Sequence, residues 1–136
     1  MGNLSQHFST WEFACGCGCG ECFPSSELLE MLEVTRVNYG RSIRISSGTR
    51  CITHNNTVGG SLYSSHLVQY ENDDDRNPGN SFAVDVFVAN SGDAYRLIDA
   101  AMQAGFDRIG FKLRAGFIHF DCDPDKTRPH LWGYSA

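Results

Sequence analysis

The chain has 136 residues, 41% of them hydrophobic and only 20% charged, a balance that excludes a disordered polypeptide and suits one globular domain. No apolar run approaches the ~18 residues of a membrane span. Eleven basic against sixteen acidic side chains leave a formal charge of −5, which argues against a nucleic-acid-binding surface. The first residues, Met1 to His7, lack both a basic n-region and a long apolar stretch, so no standard signal peptide is expected.

Ser9-Thr10-Trp11-Glu12 reads as a capping box opening a short helical stretch that carries Phe8, Trp11 and Phe13. A glycine and cysteine loop follows. Pro24-Ser25-Ser26-Glu27 starts a second helix with Leu28, Leu29, Leu32 and Val37 on its apolar side, and Gly40 is placed to stop it. Ser42 to Ser46 alternates polar and apolar residues as a half-buried strand does. Ser47 to Tyr63 reads as loop, with Asn55, Asn56, Gly59 and Gly60 as turn signals. Phe82 to Val88 is the strongest strand, almost wholly apolar and β-prone apart from Asp85. Ala94 to Ala104 is an amphipathic helix ended by Gly105, and two strands follow near Arg108–Leu113 and Gly116–Phe120. The expected fold is α+β, a single domain over residues 1–136 with a mainly antiparallel sheet and flanking helices.

Six cysteines are many for so short a chain. Four are crowded as Cys15, Cys17, Cys19 and Cys22, while Cys51 and Cys122 lie far away. The spacing C-x-C-x-C-x2-C matches poorly the two separated pairs of a zinc knuckle. Cysteines two apart also rarely bond to each other. Disulfides or free thiols in a glycine-rich loop are therefore preferred over a structural metal.

Three polar side chains stand in settings that chemistry explains better than packing does. His66 follows the glycine and serine loop Gly59 to Ser65, Asp85 interrupts one apolar strand, and His119 interrupts another, Gly-Phe-Ile-His-Phe-Asp. A buried carboxylate without a partner costs several kcal/mol or shifts its pKa upward. A divalent metal holds such a charge efficiently, and two imidazoles with one carboxylate leave a fourth tetrahedral position open, as in catalytic zinc sites. A strand histidine that is merely a satisfied core residue is the competing explanation.

The order of motifs narrows the choice. Ile45-Ser46-Ser47-Gly48-Thr49-Arg50-Cys51, Asn56-Thr57-Val58-Gly59-Gly60, Ser64-Ser65-His66-Leu67, Ala83-Val84-Asp85-Val86 and Phe117-Ile118-His119-Phe120-Asp121 succeed one another in a way that resembles the M15 metallopeptidases. These are the zinc D-alanyl-D-alanine carboxypeptidases and their endolysin relatives, whose scaffold is also that of the hedgehog signalling domain. The opening, Leu4 to Ser9 with Glu12-Phe13 and the cysteine-glycine loop, looks like the small phage-type branch.

The resemblance implies one catalytic zinc ion held by His66, Asp85 and His119. Arg50 would be a catalytic and substrate-binding cation, suited by its planar guanidinium to a carboxylate or carbonyl. Ser64 would also contact substrate. The implied activity is hydrolysis of D-amino-acid-containing peptide bonds in peptidoglycan. The implied partner is a peptidoglycan peptide, with no nucleic acid and no membrane, for a monomeric protein. By the same resemblance the protein is phage-encoded, made in a host cytoplasm and acts on the cell wall. A non-catalytic zinc-binding module on the same fold is the alternative.

Two departures from the family pattern stand out. Relatives normally separate the first histidine from the aspartate by six residues, whereas Asp85 lies nineteen positions after His66, across an acidic insert from Tyr70 to Asn80. Asp73, seven after His66, mimics the family spacing but sits in a charge run that reads as a solvated loop, so Asp85 is preferred. Many relatives also carry a carboxylate three residues before the last histidine, where this chain has Gly116. Asp121 shares a strand face with His119 and is the candidate catalytic proton shuttle or partner of a ligand, with Asp123 and Asp107 behind it.

Overall fold

The computed structural model describes residues 2–61, 63–67 and 81–134. Expectations about the acidic insert, including Asp73, fall outside the described residues. Among the described residues, four α-helices and five strands follow in the order α1 (Thr10–Phe13), α2 (Ser26–Tyr39), β1 (Ile45–Ser47), α3 (Ile52–Thr57), β2 (Ala83–Phe87), α4 (Ser91–Gln103), β3 (Arg108–Lys112), β4 (Phe117–Asp121) and β5 (His130–Gly133). The strands form one sheet in the order β1-β2-β4-β3-β5. Every pair is antiparallel except β3 with β5, so the fold is α+β with a mixed sheet.

Strand periodicity divides the sheet into a core face and a chemical face. On β2, Val84 and Val86 enter the core, as Ile118 and Phe120 do on β4. They pack with Leu28 and Leu32 of α2, Leu97 and Ala101 of α4, and Phe8 and Phe13 from the N-terminal segment. Because successive side chains alternate, Asp85, His119 and Asp121 must leave the sheet on the opposite face. The β2–β4 register sets Asp85 directly opposite His119 and Ala83 opposite Asp121.

Local signals account for the helix ends. Ser25 caps α2 by accepting the Leu28 amide, and Gly40 closes it at φ 73°. In α1, the Ser9 amide donates to the Glu12 carboxylate at 2.7 Å. Trp11 and Val37 leave the apolar sides expected of them, at 78% and 67% exposure, because Phe8, Phe13, Leu28 and Leu32 already fill the core beneath.

The strand expected over Ser42–Ser46 is reduced to Ile45–Ser47, although Ile43 is still buried. Two elements exceed the expectation: α3 inside the supposed loop, and β5 near the C-terminus. Among the described residues, no helix is long and apolar enough to cross a membrane.

Candidate metal centre

One row across the chemical face carries Ser47, Asp85, His119, Gly110 and Trp132, each the register partner of the next. His66 reaches this row from outside the sheet. Its segment is fixed by an isolated parallel bridge between Arg50 and Leu67 and by the Arg50 amide, which donates to the His66 carbonyl at 2.9 Å. The expected ligands meet: one ligand atom from each of His66, Asp85 and His119 lies within 4.8 Å of the others.

Their protonation follows from their second partners. His66 Nδ1 is 2.7 Å from the Gly48 carbonyl, which can only accept, so Nδ1 carries the proton. Burial lowers the His66 pKa, outweighing the nearby Asp85 charge, and keeps the ring neutral. Nε2 is thus a bare lone pair. It is buried without a hydrogen-bond partner, yet it lies 3.3 Å from Asp85 Oδ1.

His119 repeats the pattern with its nitrogens exchanged. Nε2 is 2.7 Å from Asp121 Oδ2, while Nδ1 faces Asp85 Oδ1 at 3.0 Å. Burial alone would lower the His119 pKa, but hydrogen bonds to Asp121 and Asp85 raise it. When protonated, His66 and His119 outweigh burial at Asp85 and hold its carboxyl well below the ordinary carboxylate range.

Two imidazole nitrogens therefore converge on one carboxylate oxygen. A lone pair aimed at an anion is repulsive unless a cation lies between them, either a proton or a metal ion. The donor set suits zinc, and the outer contacts to Gly48 and Asp121 are those that orient metal-binding imidazoles. The residues present fit a metal.

Arg50 borders the same site, with Nη2 3.5 Å from Asp85 Oδ2. Its fork is held by Ser47 Oγ at 3.3 Å and Asn55 Oδ1 at 3.2 Å. Asn55 is itself buried in α3 and donates to the Ser61 carbonyl at 2.8 Å, so the unexpected helix positions the guanidinium. Ser64 lines the cleft but is buried, and its Oγ accepts the His66 amide at 3.2 Å.

Asp121 lies on the far side of His119. Its second oxygen accepts from Arg108 Nε at 2.7 Å and from the Asp123 amide at 3.1 Å. Both oxygens are engaged, and the side chain is fully buried. Asp123 is buried against Ser65 Oγ at 2.7 Å, and Asp107 pairs with Arg128 at 2.9 Å; neither lines the cleft.

Gly116 ends a 3₁₀ turn at φ 77°, and a Cβ there would stand 3.2 Å from the Val88 carbonyl. The turn geometry explains why this position carries no side chain.

The cleft holds about 270 Å³, and sequence reasoning missed part of its wall: Arg108, Lys126, Trp132 and Tyr134. Trp132 packs 5.4 Å from the His119 ring, and the Arg108 guanidinium sits 5.0 Å from the Trp132 ring. Gly110 makes room, because a Cβ there would meet the Trp132 ring at 2.4 Å. The available signal was the spacing of His130, Trp132 and Tyr134 two apart, the period of one strand face.

A family model described as Peptidase M15 matches residues 6–121. This chain belongs to the M15 peptidase family. Neither a curated protein sequence nor a solved structure gives a significant match to it. As a member of a metal-dependent family, this M15 peptidase has His66, Asp85 and His119 together as a possible metal-binding group.

Proposed function

We propose that this M15 peptidase is zinc-dependent and hydrolyses D-amino-acid-containing peptide bonds of bacterial peptidoglycan. The observation that carries the reading is the buried, unpartnered Nε2 of His66, aimed with His119 Nδ1 at one oxygen of Asp85. His66, Asp85 and His119 would hold the ion. Zinc in such a site supplies Lewis acidity toward a carbonyl and makes water acidic enough to attack near neutral pH.

The chain's own residues do the rest. Gly48 and Asp121 hold the two imidazoles with their lone pairs toward Asp85. Arg50, clamped by Ser47 and Asn55, binds a substrate carboxylate or carbonyl oxygen through its fork. Ser64 borders the cleft in which substrate would lie, and its hydroxyl accepts the His66 amide. Trp132 and Tyr134 form an aromatic wall on one side of the cleft. Of the two roles open to Asp121, the partner of His119 is better supported than the proton shuttle, since one oxygen is taken by His119 and the other by Arg108 and the Asp123 amide.

A metal-binding module without hydrolysis is the second reading. One observation favours it: among the described residues, Asp85 and Asp121 are the only carboxylates lining the cleft. Digestion of purified peptidoglycan, read by mass spectrometry alongside metal analysis, separates the two. The expected result is new termini at a D-amino acid, produced by zinc-loaded wild type and not by His119→Ala. Full zinc occupancy with no cleavage of any peptidoglycan would establish the binding module instead.

A further inference from the structure

A second cluster of metal-binding side chains lies outside the cleft. The sequence crowds Cys22 with Cys15, Cys17 and Cys19, but the fold exchanges it for a distant residue. The Cys22 thiol turns to the Thr10 carbonyl at 3.4 Å, and Cys51 takes its place. The sulfurs of Cys15, Cys17, Cys19 and Cys51 all lie within 4.8 Å of one another. Three of the separations are 3.5 Å for Cys15–Cys17, 3.7 Å for Cys15–Cys51 and 3.7 Å for Cys17–Cys51.

Those lengths distinguish a metal site from a disulfide. A tetrahedral ion with Zn–S bonds near 2.3 Å sets its sulfurs ~3.8 Å apart, whereas a disulfide joins one pair at ~2.05 Å and leaves the others apart. All six cysteines are free thiols. Weak S–H donors do little to hold four sulfurs at one point.

Backbone amides are also aimed at the cluster. The Cys51 amide donates to Cys15 Sγ at 3.4 Å, and the His54 amide donates to Cys51 Sγ at 3.3 Å. Such contacts favour the thiolate form that a metal requires. The loop is shaped to deliver its sulfurs: Gly18 and Gly20, at φ 85° and 87°, bend the chain on either side of Cys19. The Cys15 amide closes the loop on the Glu21 carbonyl at 2.8 Å. From Ala14 to Pro24 only Cys15 is buried, so apolar packing does little to order the loop.

We propose that Cys15, Cys17, Cys19 and Cys51 hold a structural zinc ion, separate from the ion in the cleft. It clasps the N-terminal loop to the segment that presents Arg50, since Cys51 is the next residue. The same two segments already touch where the Thr49 amide donates to the Phe13 carbonyl at 2.8 Å, and a Cβ on Gly48 would lie 2.7 Å from Phe13 Cα. The ion adds a further tie, directly beside the arginine.

Zinc counting on purified, reduced protein tests this. Wild type should carry two ions per chain, and His119→Ala should keep one. Cys19→Ser, at an exposed position, should lose one ion from wild type and the last from His119→Ala, while Cys22→Ser should lose none. Cobalt substitution checks the ligands without relying on a folded cysteine variant: His119→Ala loaded with cobalt should show strong thiolate charge-transfer absorption.

Wild type with one ion and His119→Ala with none would overturn the second site and leave the peptidase reading standing. One ion in both would instead remove the metal from the cleft and keep the cysteine site. Peptide mapping that finds two of the four cysteines joined as a disulfide in freshly purified protein would also overturn the proposal.

Discussion

Replacing Asp121 with asparagine tests how the imidazole is aimed, because the change removes charge at nearly constant shape. The carboxylate serves donors on both sides: His119 Nε2 at 2.7 Å on one oxygen, Arg108 Nε at 2.7 Å and the Asp123 amide at 3.1 Å on the other. Asparagine has one acceptor oxygen. If it faces Arg108, its NH₂ confronts His119 Nε2 and drives the ring proton to Nδ1, the atom aimed at Asp85. If it faces His119, its NH₂ confronts the Arg108 Nε–H and the Asp123 amide, donor against donor, across a buried contact.

Partners of this kind are worth ~10–100-fold in metal affinity, about 1.4–2.7 kcal/mol. Loss of the buried ion pair is softened because Arg108 keeps the Thr127 carbonyl at 2.6 Å and the Trp132 ring at 5.0 Å. A fall of about 2–3 kcal/mol in metal-free stability is expected, below the ~3–5 kcal/mol of a fully stranded charge. For a domain of this size that lowers Tm by roughly 10 °C. Chelator competition measures zinc affinity, and thermal melts of the metal-free protein measure stability. Zinc affinity unchanged while turnover falls ~10²–10⁴-fold would refute the orienting role and restore Asp121 as the proton shuttle.

Three further outcomes are expected. Gly110→Ala drives a methyl to 2.4 Å from the Trp132 ring, so Trp132 must leave its place beside His119; a loss of ~1–3 kcal/mol in chemical denaturation is expected, and unchanged stability and tryptophan fluorescence would contradict the packing. Arg50→Lys keeps the charge but loses the fork clamped by Ser47 and Asn55; kcat/KM on a peptidoglycan fragment should fall ~10–100-fold with zinc content unchanged, the size of one charge-assisted hydrogen bond. Glu33 ties the N-terminal segment to α2 through Ser5 at 2.6 Å and His7 at 2.6 Å. Burial acts to raise its pKa, but those bonds outweigh it and lower the value. Its contribution is therefore full above the unfolded value of ~4.3 and lost as pH falls through the lowered folded value. Glu33→Gln should cost under ~1 kcal/mol at neutral pH, with the difference from wild type vanishing in acid; a constant difference down to pH 2 would disprove the linkage.

The strongly patterned parts of this fold were legible in the sequence. Asp85 stood out because charge interrupts an apolar strand, and alternation placed Asp85 and His119 on a shared face once β2 and β4 were paired. Other features depended on tertiary contacts. The α3 helix is six residues rich in asparagine and threonine, poor helix formers, and buried Asn55 ties it to Ser61 and Arg50. Sharing a strand face also did not decide the partners of Asp121: Arg108, its register partner on β3, engages the oxygen that His119 leaves. Cys51 joined the sulfur cluster from 32 residues beyond Cys19, a juxtaposition that spacing within the loop does not contain.

The long interval between His66 and Asp85 follows the same logic. Each residue is positioned by neighbours that do not depend on the chain between them. Asp85 is set by the β2–β4 register opposite His119. His66 is set from the other side, by Gly48, by the Arg50 amide and by the Arg50–Leu67 bridge. The Phe82 amide donates to the Ser65 carbonyl at 2.9 Å, so the chain returns to within one hydrogen bond of its point of departure. Adding residues between two such anchored points costs only the slow logarithmic growth of loop entropy, ~0.6 kcal/mol per doubling of length. The geometry of the ligand set is therefore insensitive to the length of the insert, and motif spacing is a weaker guide here than strand register.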